Sequence, residues 1–468
     1  MATLDPAEAA VIAHGRWATS PPAKPLRSFA IDTRRIEPGE TFVALKSDRM
    51  DGHSFLRQAF QYRALAALVE HPDTDVPIPQ LVVRDSLGAL QALARSWRQR
   101  FRSPVIGVTG SNGKTTVKEM LGQVLGSQWF RTRGNHNNHI GVPLSLLELD
   151  PRMHAGGILE AGINDVGEMD LLSGMINPDH AIITSVGPSH LERLGDLEGV
   201  AREKAILARS VRPGGNVFLP AQLLRYAAFR DLPETIRVHA LLRRGESIGA
   251  DLSSLPNLTI YHYNWTDKVP AGGPGILRME MPVPHGPLSF RAGSDGMVSN
   301  LALVVQVALH LGVPLSTLQA CLDAWRPFRQ RGETVRYRAA TYYVDCYNAN
   351  PGSMLDSLQR FAHLFPNQPH LYVLGTMNEL GENAAEWHRS TANRGSLRGD
   401  ADVYLIGEHA EALAEGLLQQ GHDRSRIHFA QTDDELREHL SRFSGAIFLK
   451  GSRSLGMERL VPEGGRSC

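Results

Sequence analysis

VIGVTGSNGKTTVKEML, residues 105–121, runs from an apolar strand pattern through a glycine-rich turn into a helical pattern without a break. A β-branched run that stops at Gly110 and resumes after Gly113 as a helix predicts a buried strand feeding a helix N-terminus, the repeating unit of a doubly wound α/β sheet. The first-turn N–H groups of such a helix lack intrahelical partners, and its dipole is positive there, so the turn suits a phosphate chain. Lys114 can neutralise the outer phosphate oxygens, and Thr115 offers a hydroxyl to a magnesium ion. The strict GxxxxGK[ST] spacing fails, because Val108 stands five residues before Gly113; the spacing is TGxxGKT[TS]. Gly110, Ser111, Asn112, Gly113, Lys114, Thr115 and Thr116 are the expected nucleotide-binding residues.

Working outward, FAIDT, TFVAL, AALVE and QLVVR alternate with helical stretches before Ser103-Pro104 and predict a small α/β unit over residues 1–102. GGILEAGI, HAIITSVG and NVFLP extend the phosphate-loop unit into a doubly wound sheet over residues 103–331, in which Leu301 to Leu315 reads as one buried helix. Residues 240–295, rich in glycine and proline, give no regular pattern. TYYVDC, LYVLG, ADVYLIG, RIHFA and AIFLKG then predict a Rossmann-like unit over residues 332–468. The expected fold class is α/β in three domains.

The chain has 468 residues with 49 Lys plus Arg against 49 Asp plus Glu, so no overall field gathers nucleic acid or an anionic membrane surface, and phosphate binding has to be local. The N-terminus lacks a basic region followed by an unbroken apolar run, which predicts no secretory signal, and no stretch is long and apolar enough to predict membrane insertion. Cys321, Cys346 and Cys468 have no CxxC spacing, which fits a reducing cytoplasm better than a disulfide framework.

Glu160 ends an apolar strand, where the carboxyl edge of a sheet meets its ligand crevice, and a carboxylate there can hold Mg²⁺. His190 and Glu192 follow the next strand in SVGPSHLE; an isolated histidine of this kind is more often structural, and its place at a strand edge is what raises it. Lys204 lies in LEGVAREKAILARS, an amphipathic pattern in which a lysine ordinarily reads as solvated.

Taken together these motifs resemble the Mur ligase family. TGSNGKTT is similar to its ATP-binding signature, and VKEM is more typical of its MurF branch. ILEAGIN and HLE resemble the ExGxN and HLE pattern, implying Glu160 and His190 as magnesium ligands beside Thr115. Several Mur ligases carry a carbamylated lysine at the position matching Lys204, an anion that would support a second Mg²⁺; the chemistry suits a buried lysine that has lost its proton. IDTRRIEPGETFVAL and DGHSF resemble the UDP-sugar-binding domain, with Thr33, Arg34 and Asp51 to His53 at the matching positions. GNHNNHIGVP resembles a segment near the muramoyl peptide and makes Asn135, Asn137 and Asn138 candidate substrate contacts. DCYNANPGSM is the most distinctive MurF-like string and implies that Asp345, Asn348 and Asn350 meet the nucleotide. GTMNELGENAAEWH and LKGSRSLGME resemble the segments that follow, with Lys450, Ser452 and Arg453 placed to engage substrate carboxylates.

The resemblance covers residues 28 to 461 and implies a monomeric cytoplasmic ligase of peptidoglycan synthesis. Using ATP and two Mg²⁺ ions, it would join D-alanyl-D-alanine to UDP-muramoyl tripeptide through an acyl phosphate. Lys114, Lys204, His190 and Glu160 would carry the chemistry. One departure stands out: where relatives carry HNxxN, this chain reads Gly296-Met297-Val298-Ser299-Asn300, keeping Asn300 and lacking the histidine. FRQRGE matches the interdomain linker only loosely, with Arg331 the equivalent nucleotide contact. A relative using another acceptor, or a non-catalytic binding protein on the same fold, are the alternatives.

Overall fold

The computed structural model describes residues 2–249, 252, 255–266, 275–280, 286–292, 294–430 and 433–467. Cys468, read above as a free thiol, lies outside these residues; Cys321 and Cys346 are free. Among the described residues the strands form a five-stranded, a nine-stranded and a seven-stranded sheet and one two-stranded ribbon. Helices flank runs of parallel strands, the α/β architecture expected.

The nine-stranded sheet positions the phosphate turn. Val105–Thr109 lies between His180–Ile183 and Gly156–Glu160, parallel to both, and Trp129–Arg131 closes the edge beyond Gly156–Glu160. After Val105–Thr109 the chain winds to one side through the helix Lys114–Leu125, and later crosses to the other side through His180–Ile183. The strand order therefore reverses beside Val105–Thr109, and a crevice opens beyond its carboxyl end, over Gly110.

The described residues within 240–295, a stretch unreadable by pattern, supply the far side of this sheet. Arg237–Arg243 and Leu258–Thr266 continue it in parallel, and Gly275–Glu280 and Leu288–Phe290 finish it antiparallel. The expected single helix from Leu301 to Leu315 is two. Asp295–His310 ends where Gly312 takes a left-handed φ of +80° and Val313 N–H returns to the Ala308 carbonyl; after Pro314 a second helix, Leu315–Ala324, begins. Glycine closing a helix with proline two residues later is a strong stop, which the continuous apolar composition concealed.

The seven-stranded sheet runs Ile427–Phe429, Asp402–Ile406, His370–Gly375, Gly445–Lys450 and Ala340–Val344 in parallel, followed by antiparallel Glu333–Tyr337 and Arg466–Ser467. Its loops 345–350 and 376–380 follow strand ends, the edge where such sheets meet ligands.

The five-stranded sheet and the nine-stranded sheet share a core. One apolar cluster passes from Leu4, Leu68 and Leu81 through Leu90, Leu93 and Trp97 to Leu146, Leu172 and Val200. The helix Ser86–Arg100 carries the joint: Trp97 Nε1 donates to the Leu149 carbonyl at 2.8 Å. Arg98, 1 % exposed, donates to the carbonyls of Ile176, Phe101 and Asn177 and to Asp179 Oδ2. Burial draws its pKa down to about 10, against the pull of Asp179. No helix among the described residues is long and apolar enough to cross a membrane. Replacing Arg98 by alanine strands three carbonyls and leaves Asp179 only Arg212 and the Val105 N–H, so Arg98→Ala should lose roughly 3–5 kcal/mol in urea-induced unfolding; a loss under about 1 kcal/mol would deny the joint its place.

Candidate functional site

Gly110 and Gly113 shape the turn. Gly110 has φ +152°, and a side chain there would meet Thr184 Oγ1 at 2.0 Å; Gly113 has φ +84°, and its Cβ would meet Asn300 Oδ1 at 2.4 Å. The turn is pinned from behind by the segment after the next strand. Ser111 N–H donates to the Ser185 carbonyl, Asn112 N–H to Ser185 Oγ, and the Ser111 hydroxyl bridges to the Gly187 carbonyl and to Ser189. The N–H groups at the start of Lys114–Leu125 have no intrahelical acceptor, and they face a cavity of about 550 Å³. Lys114 folds back onto the Gly110 carbonyl at 2.5 Å. Burial lowers its pKa, with Glu160 opposing and Arg331 adding to the shift.

Glu160 is 1 % exposed and sits against the first turn of that helix: Thr115 Oγ1 lies 3.1–3.2 Å from its two oxygens, and Asn137 Nδ2 donates at 2.9 Å. Lys118, which the sequence did not single out, is fully buried with its ammonium 3.4 Å from Glu160. A hydroxyl and a carboxylate beside an anion-binding turn are the hard oxygen donors that fit Mg²⁺, which keeps several waters and takes its remaining ligands from phosphate. Among the described residues no three His, Cys, Asp or Glu side chains gather at one point. A magnesium ion here would rest on Glu160, Thr115 and nucleotide oxygens rather than on a protein cage.

His190 lines the same cavity and takes a left-handed backbone, φ +55°. Its Nδ1 lies 2.5 Å from Glu379 of the 376–380 loop, and Leu191 N–H donates to the Glu379 carbonyl. His190 holds the Glu379 carboxyl below the usual range, against burial. The expected magnesium ligand thus leans on a carboxylate from the third sheet, a partner that only the folded chain reveals. Lys204 is 1 % exposed, inside the fold rather than on the solvated face its helix suggested. Burial and then the nearby Lys114 push its ammonium well below the usual lysine range, with Glu203 opposing. The shift favours the neutral amine, the form that can take up carbon dioxide.

The third sheet closes the cavity. Asn350 starts the helix Pro351–Leu364 with a reciprocal cap on Ser353, and its Nδ2 donates to Asn112 Oδ1 at 2.8 Å, across to the phosphate turn. Arg331 lies 4.0 Å over the Tyr347 ring, and its Nε is buried without a hydrogen-bond partner. Asp345 and Asn348 also line the cavity. Lys450, expected to take a substrate carboxylate, lines the cavity and donates to Asp345 Oδ2 at 2.7 Å and to the carbonyls of Asp345 and Asn348. It braces the 345–350 loop, because at 1 % exposure it needs a fixed counter-charge. Ser452 accepts from Asn378 N–H, and Arg453 pairs with Gln330 and Glu458; neither is among the residues lining the cavity.

The absent histidine of the HNxxN pattern has a steric counterpart. Asp356 accepts from Gly296 N–H at 2.8 Å and Ser294 Oγ at 3.0 Å, and a Cβ at position 296 would sit 2.6 Å from Asp356 Oδ1. Asp356 occupies the room a side chain would need. Asn300 remains, packed on Gly113.

Asn135, Asn137 and Asn138 line the cavity, with Asn138 Oδ1 accepting from Gly141 N–H and Asn137 holding Glu160. Thr33 and Arg34 do not line it. Thr33 Oγ1 donates to Gln58 at 2.6 Å, and Arg34 forms a bidentate pair with Asp32 on the surface. Burial, then the charges of Arg133 and Arg35, lower the pKa of His136 in the Asn-rich loop. Because the phosphate turn tolerates no Cβ, Gly113→Ala should weaken ADP binding at least tenfold by isothermal titration, the cost of strain and contact together being about 1.5–3 kcal/mol. Unchanged affinity would mean that phosphates bind elsewhere.

Residues 108–257 match the model of the Mur ligase middle domain, and residues 330–453 that of the Mur ligase glutamate ligase domain. The chain is 31 % identical to the UDP-N-acetylmuramoyl-tripeptide–D-alanyl-D-alanine ligase of Bacillus subtilis, over 94 % of this chain and 93 % of that one. It is 28 % identical to the ligase of that name from Escherichia coli, over 93 % of each. The crystal structure of MurF from Acinetobacter baumannii superposes with a TM-score of 0.82 at 28 % identity, covering 98 % of both chains. The phosphate turn, the cavity it opens into and these full-length similarities agree: the chain belongs to the Mur ligase family, among its MurF members.

Proposed function

We propose that this protein joins D-alanyl-D-alanine to UDP-N-acetylmuramoyl tripeptide at the expense of ATP, in cytoplasmic assembly of peptidoglycan precursors. The observation that carries the reading is the single cavity where the phosphate turn, Glu160, the Asn-rich loop and the 345–350 loop face one another. It has room for a nucleotide's phosphates beside an acceptor carboxylate, and the protein is taken to act as a monomer. The three sheets support a division into residues 1–102 for the UDP-sugar, 103–331 for ATP and 332–468 as the closing Rossmann-like domain.

In this mechanism the terminal carboxylate of the tripeptide attacks the γ-phosphorus of ATP, giving an acyl phosphate and ADP. The amine of D-alanyl-D-alanine then attacks the carbonyl and phosphate leaves. Lys114 swings from the Gly110 carbonyl to the β- and γ-oxygens, and the helix N–H groups of Lys114 to Thr116 hold them. Two Mg²⁺ ions, when bound, neutralise phosphate charge; Thr115 and Glu160 would hold one, and His190 with Lys204 as its carbamate would serve the second. Asn300, Arg331, Asp345, Asn348 and Asn350 surround the rest of the nucleotide, while Asn135, Asn137 and Asn138 position the peptide carboxylate. Thr33 and Arg34 meet the uridine end, and Ser452 and Arg453 steady the dipeptide side with Lys450 behind them. Closure of the 345–350 loop on the phosphate turn keeps water from the acyl phosphate.

Phosphate release with Mg-ATP and UDP-muramoyl tripeptide should require D-alanyl-D-alanine and yield the pentapeptide by mass, with L-alanine inert; release with another amine alone would overturn the assignment. Lys114→Ala should lower kcat by about 10³-fold, the scale of removing a preorganised charge from the transition state. Carbamate formation needs the neutral amine, so activity should fall as acid protonates Lys204. It should also fall in CO₂-free buffer at neutral pH and recover with bicarbonate. A rate indifferent to bicarbonate would reject the carbamate.

A further inference from the structure

Lys118 follows the phosphate turn by one helical turn, and its ammonium, with no exposed surface, reaches four acceptors. These are the carbonyls of Thr132 at 2.9 Å and Gly134 at 3.1 Å, Glu119 Oε1 at 3.1 Å and Glu160 Oε2 at 3.4 Å. Glu119 is held in turn by Arg131 Nε at 3.2 Å. A line of alternating charge therefore runs Arg131, Glu119, Lys118, Glu160, and ends at the Thr115 hydroxyl.

A buried ammonium keeps its charge only while a counter-charge stays beside it. Mg²⁺ at Glu160 would compete with Lys118 for the same carboxylate and repel it. Glu119, at a comparable distance, offers the ammonium a second counter-ion, and the two carbonyls hold it in place as its partner changes. The same carbonyls begin the loop carrying Asn135 to Asn138, so one ammonium fixes the root of that loop and shares the carboxylate of the metal site.

We propose that Glu119 is the counter-ion that releases Lys118 from Glu160 on metal binding, so that the Lys118–Glu119 pair sets the magnesium affinity of the phosphate site. The proposal rests on reading Glu160 as a magnesium carboxylate. Lys118 and Glu119 are positioning residues that act through Glu160. The two give substitutions of opposite sign. Without Glu119 the ammonium has only Glu160 and blocks the metal; without Lys118 nothing competes for Glu160.

The test is Mn²⁺ binding to the full-length protein in the presence of ADP, read from the loss of the free Mn²⁺ signal by electron paramagnetic resonance. ADP affinity in EDTA and the melting temperature are measured alongside. Glu119→Gln should weaken Mn²⁺ by about tenfold or more, since one retained charge contact at an effective dielectric near 20 exceeds the interaction that a tenfold change represents. Its ADP affinity in EDTA should be that of the wild type. Lys118→Met should bind Mn²⁺ at least as tightly as wild type. Wild-type Mn²⁺ affinity in Glu119→Gln, or equal weakening in both variants, would overturn the proposal. Glu119 is partly exposed, so its variant decides the matter even if Lys118→Met does not fold. If ADP binding to the wild type were indifferent to Mn²⁺, the magnesium assignment of Glu160 would fall, and the relay with it.

Discussion

The structure depends on a close approach: four residues of backbone, from Gly110 to Gly113, lie flat enough against Thr184 and Asn300 that neither glycine has room for a Cβ. That closeness exposes the unpaired N–H groups of the Lys114–Leu125 helix at the point where the strand order of the nine-stranded sheet reverses. The rest of the site is arranged around this edge. Ser185, Gly187 and Ser189 pin the turn from behind, Glu160 is supplied by the neighbouring strand, and Asn350 reaches across from another sheet to Asn112.

Charge balance inside the site follows from the same geometry. Lys114 and Lys118 are brought out of water near Glu160, and Lys204 near Glu203, and each solves its desolvation differently. Lys114 uses a backbone carbonyl and stays beside the open cavity. Lys118 shares two carboxylates and two carbonyls. Lys204 gives up basicity, its pKa depressed by burial and by Lys114. Three lysines of one domain thus acquire three chemistries from their surroundings alone.

What the sequence could express was local. The strand, turn and helix around Gly110 and the carboxylate at the strand end were legible because each is a short-range pattern with a physical meaning. Lys118 was not, since a lysine on a helix reads as solvated until its inward face is known. The pairing of His190 with Glu379 and the filling of the Gly296 space by Asp356 join residues far apart in the chain, with no sequence pattern to announce them. Lys450 was read as a substrate group because its place after a strand end is right; its burial turns it inward to Asp345. Leu258–Thr266, on the far side of the sheet, was hidden because its exposed and half-buried positions break the apolar pattern.

The most direct measurement is a crystal structure with a non-hydrolysable ATP analogue and Mn²⁺, the ion located by its anomalous signal. The account predicts the phosphates on the N–H groups of Lys114 to Thr116, Lys114 turned away from Gly110, and an ion between Thr115 and Glu160. A nucleotide seated elsewhere, or an ion distant from Glu160, would contradict it.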